Sequence, residues 1–183
     1  MAEALKARVA RAGKAMAVAA AMEVVEALEA HHQAAQEVQM VVERAFGSMA
    51  LYHRDQSTVL HSGDVVLEAI GSTIDQRSPA DVSWTEVIRA ITPDHAVLIN
   101  RQNRRGSMIE AGMSMFILET EPAGYVLIAA NEAEKASNIT LVDVKAVGAF
   151  GRLTLAGREG DVEEAAAAAM RAIEMVNRSA AFR

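Results

Sequence analysis

Glu43 and Arg44 stand side by side in "VVERAFGSM" (41–49), one residue ahead of Phe46-Gly47. A carboxylate and a guanidinium can close on each other, or separate to meet other ions. The planar fork of Arg suits carboxylates and phosphates. From residue types alone, such a pair at a strand end is ordinarily solvated. The same Ala-Phe-Gly recurs in "KAVGAFGRL" (145–153), where Val147-Gly148 take the places of Glu-Arg. One copy of the turn is charged and the other is bare.

The remaining polar clusters carry less. His31 and His32 are adjacent, and on a helix neighbours point about 100° apart, so the pair suits the surface better than one metal ion. His53 and His61 have no carboxylate pattern beside them and are assigned no chemistry. Arg101, Arg104 and Arg105 make a basic cluster in "RQNRRGS" (101–107), either a solvated loop, a contact, or a place to hold an anion. "GREGDVEE" has glycines but no Lys-Ser/Thr, so it is not a phosphate-binding loop. Lys135 falls near the end of a predicted helix, where the helix dipole favours a cation. No nucleophile, base and orienting group come together in the pattern. Without cysteine, thiolate metal sites and disulfides are excluded. No catalysis, metal or cofactor is expected.

Composition narrows the partners. The chain has 183 residues, 51% hydrophobic but only 4% aromatic, so Ala and Val must fill the core. That length suits one large domain or two small ones. A net charge of −6 argues against a nucleic-acid face. No apolar run reaches the ~18 residues of a membrane span. The start "MAEALKARVARAGKAM" lacks a cleavage pattern after an apolar core, so no signal peptide is read and a cytoplasmic setting is expected.

The elements that position these residues follow from periodicity. Residues 2–38 are almost all helix formers, with Val18, Ala21, Val25 and Leu28 on one face. Met40–Val42 and Ser48–His53 read as strands around the first turn. "STVLHSGDVVLEAIGS" reads as a helix interrupted at Gly63 and closed by Gly71. Residues 72–82 are polar and contain Pro79, the best linker in the chain. "SWTEVIRAI" and "DHAVLIN" are extended or short helical. "MSMFILETE", "ITLVDVKAVG" and "RLTLAGRE" read as strands, and "AGYVLIAANEAEKASN" and "GDVEEAAAAAMRAIEMV" as helices.

Phe46 then aligns with Phe150, Leu51 with Leu155 and Arg54 with Arg158, a constant shift of 104 positions. Two α+β units in tandem explain this. Each is expected to be a mostly antiparallel sheet with helices packed on one side. The units are placed at 1–72 and 73–183. The first is incomplete and carries an added N-terminal helix.

From about residue 41 the segments "VVERAFG", "DHAVLINRQNRRGSM", "FILETEPAGYVLIAANEAEKA" and "VDVKAVGAFGRLTLAGREGDVEEA" resemble the tandem-domain, trimer-forming shell proteins of bacterial microcompartments. The likeness is to their permuted, carboxysome-type members. Residues 1–17 depart from the family, as in a truncated, rebuilt or engineered first half, which would leave an edge strand uncovered.

The resemblance implies a structural protein: a homotrimeric, pseudo-hexameric tile in a carboxysome shell, in contact with other shell proteins. Its pore would pass small charged metabolites, such as sugar phosphates or bicarbonate. Glu43 and Arg44 would gate that pore, and Phe46, Gly47, Val147 and Gly148 would shape it. Lys135 would be a tile-edge contact, and the shift of 104 puts His31 at the matching first-half place. Arg101, Arg104 and Arg105 would touch a neighbouring tile or a stacked trimer. Two other readings stand beside this one. The first is a small-anion-binding or enzymatic α+β protein using loop 101–107. The second is an engineered scaffold derived from the shell domain.

Overall fold

Alternating apolar residues around short turns produce strands, and the Ala-rich stretches between them produce helices. The computed structural model describes residues 37–43, 46–76, 78–102 and 109–181. The chain divides into two compact units, Met1–Ser78 and Pro79–Arg183, so the division falls inside the polar linker.

In the first unit, β1 (Glu37–Glu43) and β2 (Phe46–Tyr52) form an antiparallel hairpin, paired from Glu37↔Tyr52 to Glu43↔Phe46. The helix expected over 2–38 therefore cannot reach its last two residues, because Glu37 and Val38 belong to β1. The rest of that stretch lies outside the described residues. The following helix, α1 (Gln56–Ala69), starts at Asp55. The Asp55 carboxylate accepts the backbone N–H of Thr58 at 2.8 Å and the hydroxyls of Ser57 and Thr58. This satisfies an N–H that the helix itself leaves unpaired. Gly63 does not interrupt the helix. Gly71, at φ 65°, reverses the chain after it, as its freedom from a Cβ allows.

The second unit runs β3 (Asp81–Ile88), α2 (Pro93–Gln102), β4 (Ser114–Glu121), α3 (Tyr125–Ala136), β5 (Thr140–Lys145), β6 (Gly151–Gly157) and α4 (Glu159–Ala181). Its four strands pair antiparallel in the order β3-β4-β6-β5. Phe116, Leu118, Leu153 and Leu155 cover one face of the sheet. They pack on Val126, Ala129 and Ala133 of α3 and on Val162, Ala165, Ala169 and Ile173 of α4. The alanines let the helices sit close to the sheet and to each other. Each buried Leu here contributes about 1.5–3 kcal/mol.

The main layer of helices lies on one face, as the alternation implies. The opposite face is not bare. Met115, Val142 and Ala156 form a smaller cluster there with Ile91, Ala96 and Ile109, against which Ile99 also packs. Ala96 and Ile99 place α2 on that second face. "DHAVLIN" is thus a helix, and "SWTEVI" a strand.

Two asparagines fasten the chain to this scaffold. Asn177 of α4 accepts the Ala80 N–H at 2.7 Å and donates to the Ala80 carbonyl at 2.9 Å. Asn100 does the same for Ile109, at 3.0 and 2.7 Å. Each side-chain amide meets both polar groups of one residue, as a neighbouring strand would.

Candidate functional site

The β1–β2 ladder closes on Glu43↔Phe46, which leaves only residues 44 and 45 to connect the strands. Glu43 is therefore the last strand residue before a two-residue turn, with Phe46 and Gly47 opening the return strand. Arg44 lies outside the described residues, as do His31, His32, Arg104 and Arg105.

The second turn is built differently. The β5–β6 ladder ends at Lys145↔Arg152, and residues 147–150 bend away. Gly148 sits at φ 108°, which a residue with a Cβ adopts only under strain. Ala149 is buried, whereas Val147 and Phe150 are 42% and 47% exposed. A Cβ on Gly151 would overlap the backbone of Ala123. The loop between β4 and α3 thus passes directly over the start of β6, and only glycine fits beneath it.

A charged row lies just behind this bare tip. Trp84 is opposite Glu119, Glu119 opposite Arg152, and Arg152 opposite Lys145, so the row crosses all four strands. Arg152 Nε donates to Glu119 Oε1 at 2.7 Å, and Lys145 lies 3.4 Å from Asp143. The sequence did not single out this row. Its members are 7 to 68 positions apart, and the strand order aligns them.

Lys135 projects from the last turn of α3 and is 64% exposed at its side chain. Its Nζ donates to Glu132 Oε1 at 2.8 Å, and Asn131 donates to the same oxygen at 2.9 Å. The ammonium beside Glu132 holds its carboxyl below the ordinary range. Between α3 and α4 an open cleft of about 270 Å³ is lined by Glu132, Lys135, Ala136, Ala168, Arg171 and Met175. Residue types alone do not single out Glu132, although its spacing of three from Lys135 is the signal of a helical ion pair. Arg101 is exposed at the end of α2. Among the described residues no group of His, Asp and Glu could hold a metal ion. Among them, too, no helix is long and apolar enough to cross a membrane.

These features meet known proteins at this point. The model of the CsoS1D N-terminal domain matches residues 7–76, and that of the BMC domain matches residues 114–181. The fold is similar to that of the fused permuted hexameric shell protein MSM0275 from the RMM microcompartment. That likeness has TM-score 0.73 and 36% identity, over 85% of this chain and 77% of that one. The chain belongs to the tandem-domain shell proteins of bacterial microcompartments.

Other shell proteins extend the likeness. The double ringed trimeric shell protein MSM0271 from the RMM microcompartment matches at TM-score 0.74 and 32% identity, over 85% of this chain and 77% of that one. The carboxysome shell protein CsoS1D of Prochlorococcus marinus is 80% identical over 139 residues, 76% of this chain and 54% of that protein. The CsoS1D of Hydrogenovibrio crunogenus is 57% identical over 136 residues, 74% of this chain and 66% of that protein. The chain thus spans between half and two thirds of the length of these two shell proteins. The expected departure of residues 1–17 is narrower than it looked, because the family's N-terminal domain model already matches from residue 7.

Proposed function

We propose that the chain is a structural shell protein of a carboxysome, without catalytic activity, in a bacterial cytoplasm. It assembles as a homotrimer, a pseudo-hexameric tile set among other shell proteins. The observation that carries this reading is the hairpin register. Shifted by 104 positions, the pair Val41↔Ser48 becomes Lys145↔Arg152, and both ladders contain it. One chain therefore repeats the same hairpin, and three such chains supply six for a closed ring. The high identity to carboxysome shell proteins supports the same reading.

In this reading the Glu43–Arg44 turns of three chains converge on the threefold axis. Three guanidiniums cannot crowd together without counter-charges. Each Arg44 pairs with a Glu43, which closes the channel, or swings aside and presents its donors to an anionic metabolite. Phe46, Gly47, Val147 and Gly148 shape the channel without charge. Lys135, and His31 at the matching place, lie at the tile edge. Arg101, Arg104 and Arg105 meet a neighbouring tile. The rival reading, an anion site on loop 101–107, gains only an exposed Arg101 from the described residues.

Two measurements test the proposal. Sedimentation at tens of micromolar should give a trimer mass, and a monomer would overturn the tile. Shells assembled with Glu43→Ala/Arg44→Ala should then lose their preference for a phosphorylated over a neutral sugar by about tenfold. That is the loss expected for one charge-assisted contact of about 1.5 kcal/mol. An unchanged ratio would remove the gate and leave the tile standing.

A further inference from the structure

The shift of 104 positions puts β1 in the place of β5 and β2 in the place of β6. β6 is an inner strand, flanked by β5 on one side and β4 on the other. Among the described residues, β2 has β1 beside it and no strand on its second side. A two-stranded hairpin is marginal by itself in water. Its open edge is a row of backbone donors and acceptors that another strand can complete. The repeat indicates which strand. On β6, Leu155 lies opposite Phe116, Leu153 opposite Leu118 and Gly151 opposite Thr120 of β4. The shift carries those three places on β6 to Leu51, Met49 and Gly47 of β2. It carries Ser114–Glu121 to residues 10–17, "ARAGKAMA". That stretch has no aromatic or β-branched residue, and Ala, Gly and Lys are depleted in strands. The chain thus repeats the hairpin without repeating the sequence of β4.

We propose that the second edge of β2 is a docking site for one extended segment supplied by another polypeptide. The segment lies antiparallel to β2, in the register in which β4 lies on β6. Its apolar residues alternate as they do in "SMFILETE" (114–121). There Phe116 and Leu118 are buried, while Ile117 and Glu119 between them are half-buried. Backbone hydrogen bonds hold the added strand, and the two apolar residues opposite Leu51 and Met49 select it. A second copy's own β4 does not serve, because it is an inner strand already paired with β3 and β6. The inference goes beyond the tile reading and rests on the repeat alone.

The test adds a fluorescent synthetic peptide of residues 114–121 to the full-length chain. Anisotropy should report saturable binding, and the peptide with Phe116→Lys/Leu118→Lys should bind more weakly by about tenfold or more. Alternate amides of residues 46–52, those aimed away from β1, should exchange more slowly by about tenfold once the peptide is bound. Register is read by exchanging charges, with each peptide referred to its own binding to the natural chain. On a Leu51→Lys chain, the Phe116→Glu peptide should gain about two- to fivefold over the Leu118→Glu peptide, because only the first carboxylate faces the new ammonium. Equal binding of these two peptides would overturn the register and the proposal with it. So would an absence of binding to the natural chain, and the same amides say why. Slow exchange in the monomer without peptide would mean that the edge is filled from within the chain. Slow exchange that appears only as the chain concentration rises would mean that a second copy's edge sits there. Fast exchange at every concentration would mean that the edge takes no strand.

Discussion

The β1–β2 and β5–β6 hairpins share a register but distribute charge in opposite ways. In the first, the ladder runs to Glu43↔Phe46, the sequence continues from Glu43 to Arg44, and the pair behind is Val41↔Ser48. In the second, Val147-Gly148 leave the tip bare, and the pair behind is Lys145↔Arg152, neutralised by Asp143 and Glu119. The second ladder also carries a bulge between Leu141 and Asp143, which the first lacks. The difference comes from what surrounds each hairpin. The β4–α3 loop crosses the start of β6 and forces the backbone open there, whereas the described part of the first unit places no such loop over β2. One repeated hairpin thus has charged residues in sequence at its first turn and a second turn fixed by packing.

The largest expected effect tests the packing side of that contrast. Gly151→Val drives side-chain atoms into the Ala123 backbone. Backbone cannot give way as a flexible side chain can, so the cost is expected to reach about 3 kcal/mol. A shift in the denaturation midpoint at unchanged slope measures it. A loss under about 0.5 kcal/mol, the size of an ordinary surface change, would mean that the loop does not press on β6.

A smaller effect asks whether the charged pair could have stood in the second turn. Gly148 is at φ 108°, so Gly148→Arg should cost about 1–3 kcal/mol in backbone strain alone. Val147 is exposed, and Val147→Glu should stay within about 0.5 kcal/mol. Equal costs for the two would show that exposure, and not backbone conformation, decides which turn accepts charge.

Much of this contrast was legible in the residues. Ala45-Phe46-Gly47 and Ala149-Phe150-Gly151 announce the repeat, and alternation finds β4 and β6 to within a residue or two. The parts that were not legible are tertiary. The position of α2 on the second face depends on Ala96 and Ile99 meeting Met115 and Val142, and no spacing in "DHAVLIN" declares that. The cross-sheet row from Trp84 to Lys145 depends on the strand order β3-β4-β6-β5, which sequence order does not give. Glycines could be read as turn residues. That Gly151 lies under a carbonyl from β4's far end could not. Lys135 could be read as a helix-end cation; its pairing with Glu132 was less legible, because a charged pair one helical turn apart is common on solvated faces.

The smallest effect concerns the helix that follows the charged hairpin. His53 Nδ1 accepts the Asp55 N–H at 2.9 Å, and Asp55 in turn caps α1. Hydrogen bonds from the Ser57 and Thr58 side chains, then from the Thr58 backbone, hold the Asp55 carboxyl at about 2, against an ordinary 3.8. The folded value lies below the unfolded one. The stability this cap contributes is therefore fully present above about pH 4, and it is lost as the pH falls towards 2. Amide protection over α1 should decline across that window in the natural chain. Asp55→Ala removes the acceptor, so protection should already be lower at neutral pH, and the part of the decline due to this group should vanish. Asp55→Asn keeps an acceptor for the Thr58 N–H without the charge, and should restore most of the protection with no titration in the window. If Asp55→Ala shows the same acid decline as the natural chain, other carboxyls carry the transition, and the α1 cap has no measurable share in how the first hairpin is supported.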